Sequence, residues 1–267
     1  MPVPPTPFEE SPNFVQSLAR GLEVIRTFDG EHPALTLTEV AERTGLAKAA
    51  ARRSLMTLQH LGFVGVRGRQ FYLTPRILDL GFGYLTSLQL PELALPWMEH
   101  LSQQVDESSS LSVLDGEEIV YVARVPMRRV MTISLGVGAR LPAFASSMGR
   151  VLLAGLPQAQ LDAWLAQAQT RALTPRTIFL KADLKHEIER VRRQGYAIVH
   201  QELELGLCSI ALPIRNRQGK VLAAVNVGMQ SREGIEKRIL KEVLPRLRRA
   251  QASIESAIPV LWTANGR

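Results

Sequence analysis

Residues 43–78 form a stretch of 36 residues that contains no Asp or Glu. Seven basic side chains lie in this stretch: Arg43, Lys48, Arg52, Arg53, Arg67, Arg69 and Arg76. A window of this length with only positive charge favours a polyanionic partner. The window starts at the end of one short helical pattern, covers a second and finishes in a hairpin pattern. That order is typical of a winged helix-turn-helix, and it predicts binding to double-stranded DNA.

Three helical patterns make up the predicted helix-turn-helix. The first covers about residues 14–28. The second is short, with Thr38 as its expected N-cap and Gly45 as the residue that ends it. The third covers about 47–61, and its apolar positions share one face: Ala51, Leu55 and Leu58. A helix held by such a face can present its other side to the major groove.

Five basic residues are the candidate DNA contacts. Lys48 and Arg52 lie one turn apart on the third helix, with Arg53 beside them. We expect these three to contact bases and phosphates. Arg67 and Arg69 flank Gly68 at the tip of the predicted hairpin, where they could reach phosphates or a minor groove. A single basic pair on a helix is more often a solvated face, so the prediction depends on the whole arrangement.

Length and composition set broader limits. A chain of 267 residues favours two domains. Its net charge is +7, and most of this charge lies beyond residue 90, because residues 1–90 hold nine basic and eight acidic side chains. One cysteine excludes an internal disulfide framework and favours the cytoplasm. The sequence has no run of 18 consecutive apolar residues, so it predicts no membrane span. Residues 1–13 are proline-rich and acidic, and we expect them to be a disordered tail rather than a signal peptide.

The sequence after the predicted winged helix-turn-helix predicts a linker helix over 76–90 and an α+β domain with an antiparallel sheet over 91–260. Asp115-Gly116 between two alternating runs favours a tight hairpin turn. The predicted strands are 109–114, 118–125, 130–135, 196–199, 209–214 and 221–227. The predicted helices are about 93–105, 148–154, 157–168, 183–194 and 235–258.

Motifs for catalysis are missing from the sequence. The five histidines are scattered without ligand spacing, and no nucleophile elbow, phosphate-binding loop or dinucleotide fingerprint occurs. We therefore predict no catalytic residues, no metal and no cofactor. Residues 141–150 instead form a loop of small residues that leads into a helix, whose free N–H groups could bind a carboxylate. An ordinary serine-rich helix cap accounts for this pattern equally well.

Four blocks of sequence, in order, resemble the IclR family of bacterial transcription regulators: SLARGLEVIRTF, LTEVAERTGLAKAAARRSLMTLQHLGFV, LPAFASSMGRVLLA and GLCSIALPIRNRQGKVLAAVNVG. The resemblance covers about residues 14–258. It is strongest to the branch that regulates protocatechuate, 4-hydroxybenzoate and β-ketoadipate catabolism. Ala49 and Ala50 replace a Ser-Thr pair that is frequent in the family, which favours this branch and removes two hydroxyls that could contact phosphates.

The resemblance implies a winged-helix head, a linker helix and a GAF-like effector domain, assembled as a dimer or a dimer of dimers. It implies a carboxylate effector bound by the backbone N–H groups of Ser147 and Met148. Ser209 and Asn226 match polar positions of the family's effector site, whereas Gly228 falls where some members carry a serine. Cys208 is expected to point away from that site, because neighbouring residues on a strand face opposite sides.

Together these observations predict a cytoplasmic regulator that binds operator DNA through its head and responds to an aromatic acid or a related pathway intermediate. In the expected mechanism, the two DNA-binding heads of a dimer can adopt different spacings. The effector binds the protein better at one spacing, shifts the population toward it and so changes operator affinity. One alternative is the same architecture with a different small acid, such as glyoxylate, pyruvate or a sugar acid. Another is an enzyme of small acids with an accessory DNA-binding head.

Overall fold

The computed structural model describes residues 11–80, 89–127 and 135–258, together with Phe8. The chain separates into two units, Met1–Tyr84 and Leu85–Arg267. The expected tail over 1–13, the linker helix over 76–90 and the strand over 130–135 lie largely or wholly outside the described residues.

In its described residues, the N-terminal unit contains three α-helices, a short 3-10 helix at Pro75–Leu78 and a small antiparallel sheet. Its elements are α1 (Gln16–Arg26), β1 (Ala34–Thr36), α2 (Leu37–Thr44), α3 (Lys48–His60), β2 (Val64–Arg67) and β3 (Gln70–Leu73). The strand order is β1-β3-β2. The predicted hairpin is therefore β2 and β3, and the helices lie within two residues of their predicted ends. This is a winged helix-turn-helix.

Strand β1 was not predicted, because three residues are too few to show strand alternation. It pairs with β3 and places Leu35 opposite Phe71. Leu35 is buried in the core of this unit with Val24, Val40 and Leu55. The third strand therefore fixes the base of the hairpin to the helices.

The start of α2 differs from the prediction that Thr38 is its N-cap. The N-cap is Thr36, whose hydroxyl accepts a hydrogen bond from the Glu39 N–H while the Glu39 carboxylate accepts one from the Thr36 N–H. This reciprocal capping box satisfies two backbone donors, which Thr38 within the first turn could not do. Gly45 ends α2 with a φ of 67°, as predicted.

The C-terminal unit is an α+β domain. Its strands are β4 (Ser108–Asp115), β5 (Glu118–Val125), β6 (Arg140–Pro142), β7 (Ala197–His200), β8 (Leu207–Arg215) and β9 (Val221–Gln230). Its helices are α4 (Gln89–Val105), α5 (Ser147–Ala154), α6 (Gln158–Gln167), α7 (Lys181–Gln194), α8 (Ile235–Arg238) and α9 (Leu244–Ala257). The sheet order is β6-β5-β4-β9-β8-β7, and all the pairings are antiparallel.

The sheet packs helices against both of its faces. Helices α4 and α9 cover one face, where Met98 and Leu247 pack against residues such as Ile210. Helix α5 covers the other face and α7 packs against α5, and Met148 and Ile188 are buried in this layer. Burial of both faces explains why β8 and β9 are nearly continuously apolar.

The C-terminal helix was predicted to run without interruption over 235–258, but a π-helical turn at Ile239–Val243 separates α8 from α9. Pro245 follows this turn at the start of α9. Proline has no N–H to donate to the preceding turn, so a local wider turn accommodates it. In the part of the chain that the structure describes, no helix is long and apolar enough to cross a bilayer.

Candidate DNA-binding surface and effector cavity

Helix α3 presents the predicted basic side chains on its exposed face. Ala51, Leu55 and Leu58 are buried against the rest of the unit, as the spacing predicts. Lys48 and Arg52 are exposed one turn apart. Arg53 is exposed as well, but it borders the groove between α1 and α3 and therefore lies apart from the other two.

Charge pairing divides the basic window into two groups. Arg43 contacts Asp29 at 3.4 Å and Arg76 contacts Asp79 at 4.0 Å, so both have acidic neighbours. Within the described residues, no ion pair involves any of the five predicted DNA contacts: Lys48, Arg52, Arg53, Arg67 and Arg69. These five side chains keep their positive charge available for phosphate.

The wing is shaped by an aromatic residue that covers a glycine. A Cβ at Gly65 would lie 2.4 Å from the ring of Tyr72, so the close packing of this ring requires glycine. The Arg67 guanidinium lies 5.7 Å from the centre of the same ring. Gly68, with a φ of 62°, makes the turn between Arg67 and the exposed Arg69. The structure thus places both arginines at the tip of a short, well-packed hairpin.

The second candidate site is a cavity in the C-terminal unit, between the sheet and the start of α5. Its enclosed part has a volume of about 40 Å³, and the rest of the cavity opens to solvent. All four residues that the resemblance assigned to the effector line this one cavity: Ser147, Met148, Ser209 and Asn226. Residues 62 positions apart therefore converge, as the contact of Ser209 with Ser147 shows.

Two rows of paired residues form the floor of the cavity. Ser110 of β4 pairs with Arg124 of β5 and with Asn226 of β9. In the next row Gly228 pairs with both Ser108 and Ser209. Directly paired residues in a sheet project from the same face, so both rows face the cavity.

The first turn of α5 forms the opposite wall. Ser146 is the N-cap, and its hydroxyl accepts a hydrogen bond from the Gly149 N–H at 3.1 Å. No acceptor within the described residues contacts the N–H groups of Ser147 and Met148, which lie in the first turn of the helix, where intrahelical acceptors do not exist. Gly149 permits this wall, because a Cβ there would lie 2.1 Å from the Ala143 carbonyl oxygen.

Polar groups in the cavity are incompletely satisfied. The Ser209 hydroxyl donates to the Ser147 hydroxyl at 2.9 Å. The side-chain oxygen of Asn226 is buried and has no hydrogen-bond partner in the described chain. A buried polar atom without a partner costs about 1–3 kcal/mol, so a bound molecule that supplies a donor would stabilise it.

Arg124 is a site residue that the sequence reasoning missed. Its guanidinium donates to the Ser110 hydroxyl at 3.2 Å and lies on the cavity wall. No acid is present among the described residues that line the cavity. Burial raises the pKa of the lining Tyr121 to about 12, so this phenol is neutral at physiological pH. The charge of the described lining is therefore positive.

A buried ion pair joins α5 to the loop before β8 beside the cavity, and neither of its residues was predicted. Arg150 of α5 donates to both carboxylate oxygens of Glu202, and its Nε donates to the Phe144 carbonyl at 3.1 Å. The Glu202 carboxylate also accepts from the Ile178 N–H at 2.9 Å. A basic residue inside an otherwise apolar helix pattern, as in SMGRVLLA, was the signal available in the sequence.

Nucleophilic or metal chemistry finds no support at this cavity. The Ser147 hydroxyl contacts another serine, not a base. Cys208 is buried on the other face of the sheet, as alternation predicted, and burial raises the pKa of its thiol to about 12. Within the described residues no group of His, Cys, Asp or Glu could hold a metal ion.

A winged helix with an unpaired basic face, together with a domain that encloses a small-molecule cavity, defines a ligand-responsive transcription regulator. Comparison with known families agrees. The IclR helix-turn-helix domain matches residues 17–68, and the bacterial transcriptional regulator IclR C-terminal domain matches residues 82–256. The chain belongs to the IclR family of bacterial transcriptional regulators.

Individual relatives are similar over nearly the whole chain. The Pca regulon regulatory protein of Pseudomonas putida is 41% identical over 89% of this chain and 83% of its own length. A transcriptional regulator from Rhodococcus sp. RHA1 has a solved structure with 49% identity and a TM-score of 0.80, covering 91% of this chain and 98% of that one. An IclR homologue from Microbacterium hydrocarbonoxydans, complexed with 4-hydroxybenzoate, has 28% identity and a TM-score of 0.79, covering 90% and 98%.

Proposed function

We propose that this protein binds operator DNA upstream of genes for aromatic-acid catabolism and that a small carboxylate controls its affinity for that DNA. The observation that carries the proposal is the cavity: free N–H groups of Ser147 and Met148 and a guanidinium face a space with no acid among its described lining residues. Such a site favours an anion. The relatives support the class of acid, because one is a Pca regulon regulator and another was crystallised with 4-hydroxybenzoate.

In this proposal the carboxylate of the effector accepts hydrogen bonds from the N–H groups of Ser147 and Met148. The Ser209 hydroxyl, 2.9 Å from that of Ser147, gives the same end of the effector a further polar contact. Asn226 contacts the body of the effector through its unpartnered side-chain oxygen or its amide. The effector binds one arrangement of the protein better than the other and thereby changes operator affinity.

DNA contacts in this proposal divide between α3 and the wing. Lys48 and Arg52 enter the major groove, where arginine can bind guanine with two hydrogen bonds. Arg67 and Arg69 contact the phosphate backbone or the minor groove beside it. Arg53 lies nearer to α1 and contacts phosphate rather than bases. Because bacterial operator DNA lies in the cytoplasm, we propose that the protein acts there.

Self-association to a dimer or a dimer of dimers completes the proposal. Helix α1 leaves Leu18 and Leu22 exposed by 62% and 49%, beside an apolar groove that it forms with α3. Contiguous exposed apolar surface of this kind marks an interface more often than a free surface. A second copy of this chain, related by twofold symmetry, would cover it and present two heads to a palindromic operator.

The test is fluorescence anisotropy of the full-length protein on its own upstream intergenic DNA at fixed salt. Titrations are repeated with protocatechuate, 4-hydroxybenzoate and β-ketoadipate. We expect tight, salt-sensitive binding that one of these acids shifts. Tight binding that none of them shifts would favour the alternative effectors glyoxylate, pyruvate or a sugar acid. Failure to bind this DNA specifically would overturn the proposal.

An enzyme with an accessory head is the second candidate, and one contact favours it. The His200 imidazole lies 2.6 Å from the Ser231 hydroxyl and 3.6 Å from the Glu236 carboxylate. This resembles a nucleophile, base and acid in series. None of the three lines the described cavity, and Glu236 is exposed by 70%. Turnover of an aromatic acid or its ester that Ser231→Ala abolishes would support this candidate over the regulator.

A further inference from the structure

Helix α3 carries an apolar strip that the DNA contacts proposed above do not use. The strip consists of Ala49 and Met56, which are both exposed, and Met56 is exposed by 46%. The two residues are about two helical turns apart, so they lie on one side of the helix. At 3.6 residues per turn, the strip lies between Arg52 and Arg53 around the helix circumference. An apolar strip therefore divides the basic face that is offered to DNA.

The described part of the N-terminal unit does not cover this strip. The buried side of α3 is formed by Ala51, Leu55 and Leu58. The apolar groove between α1 and α3 is lined by Ala50 and Arg53 among others, but by neither residue of the strip. A single exposed methionine is common on protein surfaces. This one is distinguished by its position among the side chains that are proposed to enter the major groove, so DNA is the partner that would cover it.

Ala49 lies where a recognition helix comes closest to the bases. It is the second residue of α3, between the N-cap Ala47 and Ala50. Apart from Lys48, this end of the helix carries only methyl side chains, so it can approach the base edges closely. In helix-turn-helix proteins, the N-terminal residues of the recognition helix contact base edges. The Ala49 methyl group neither donates nor accepts a hydrogen bond, so its partner on the DNA must be apolar.

Thymine supplies the apolar group of the major groove. The other groups that identify base pairs there are hydrogen-bond donors and acceptors, whereas thymine presents its C5 methyl group, which alanine and other apolar side chains can contact. We propose that Ala49 and Met56 are specificity-determining residues that contact thymine methyl groups, so that each half-site of the operator contains thymines beside the base that Arg52 binds. This inference rests on the proposed function, in which α3 enters the major groove.

The experiment removes single methyl groups from the DNA and apolar groups from the protein. Footprinting of the full-length protein on its upstream intergenic DNA first defines the operator. Each thymidine of the operator is then replaced in turn by deoxyuridine, which lacks only the C5 methyl group. Fluorescence anisotropy at fixed salt gives dissociation constants for the wild-type protein and for Ala49→Gly, Met56→Ala and Ala50→Gly. Ala50→Gly is the matched control, because it makes the same change one residue away, at a half-buried position beside the α1–α3 groove.

We expect deoxyuridine at two or more positions of a half-site to weaken wild-type binding by about fourfold each, the effect of burying one methyl group. In Ala49→Gly the loss at one of these positions should disappear while the loss at another remains, and Met56→Ala should show the reverse pattern. Ala50→Gly should keep both losses. Glycine also weakens the helix, but each loss is a ratio measured within one variant and is therefore independent of that effect.

Two results would overturn this inference while leaving the proposed function intact. One is specific operator binding in which deoxyuridine has no effect at any position. The other is a set of losses that all persist in both Ala49→Gly and Met56→Ala, since the thymine methyl groups would then contact other residues. Failure of the wild-type protein to bind this DNA specifically would instead overturn the proposed function, and this inference with it.

Discussion

Arg150 and Glu202, 52 residues apart in the sequence, form a two-pronged ion pair at 2.8 and 2.5 Å with both side chains buried. Arg150 belongs to the helix whose first turn forms one wall of the cavity, and Glu202 belongs to the loop before β8 that forms another. The pair therefore holds two walls of the effector cavity at a fixed separation. Its geometry makes it a positioning contact, since neither side chain lines the cavity itself.

Arg150→Met should destabilise the C-terminal domain by about 3–5 kcal/mol, because it leaves the buried carboxylate of Glu202 without a cation. Urea denaturation followed by circular dichroism measures the change. Lys185→Met is the control: it removes an exposed ion pair with Asp162 at 2.8 Å and should cost far less, because solvent screens that pair. A similar small loss for both variants would show that the buried pair contributes no more than a surface pair.

The pair also marks a limit of sequence reasoning. Periodicity predicted most helices and strands. Strand alternation correctly placed the Ser209 side chain on the cavity face of the sheet and the Cys208 side chain on the opposite, core face. Those signals are local. The partner of Arg150 is 52 positions away, and only the folded chain brings it near. Sequence reasoning missed Arg124 for a related reason. A bulge between Leu111 and Ser112 shifts the register of the β4–β5 pair, so simple alternation along β5 assigns its side chains beyond the bulge to the wrong face of the sheet.

Short elements were the other weakness. Strand β1 has three residues and β6 has three, which is below the length at which alternation can be recognised. Thr38 and Thr36 are both plausible caps by type, and the choice depends on which one is extended and has Glu39 three residues ahead. Thr36 meets both conditions.

That difference predicts the outcome of two single substitutions. Thr36→Ala should cost the N-terminal unit about 1 kcal/mol, because it removes the side-chain acceptor for the Glu39 N–H. Thr38→Ala, at an exposed position within the helix, should be neutral or slightly stabilising, because alanine has the higher helix propensity. Thermal unfolding of the two variants provides the comparison. Equal losses would assign no special role to the Thr36 cap.

The same cap should make stability depend on pH. Hydrogen bonds from the Thr36 backbone N–H and hydroxyl lower the pKa of the Glu39 carboxyl below its ordinary value. A lowered pKa means that ionised Glu39 stabilises the folded state above the unfolded-state pKa and that this stabilisation is lost as the pH falls through the lowered value. The difference in melting temperature between the wild-type protein and Glu39→Gln should therefore be largest at neutral pH and vanish in acid. A difference that stays constant across this range would contradict the assignment.

Arg52→Ala should weaken operator binding by about 1–3 kcal/mol if Arg52 contacts a base edge, and the loss should vary with the operator sequence. The reason is that a base contact discriminates between sequences whereas a phosphate contact does not. Anisotropy titrations on the native operator and on a panel of single-base variants measure this. Arg43→Ala is the control, because Arg43 is already paired with Asp29. A uniform loss across the panel would reassign Arg52 to phosphate.

Ser209→Ala should weaken the response to the effector and leave operator binding without effector unchanged. The substitution removes the hydroxyl that contacts Ser147 at the carboxylate end of the cavity, while the core face of β8 keeps its packing through Ile210. Anisotropy with and without the active acid gives both quantities from one protein preparation. Ser256→Ala, at an exposed position on α9, controls for the loss of a serine far from the cavity. If Ser209→Ala lowers operator affinity in the absence of effector as much as it lowers the response, Ser209 supports the fold of the domain and does not bind the effector.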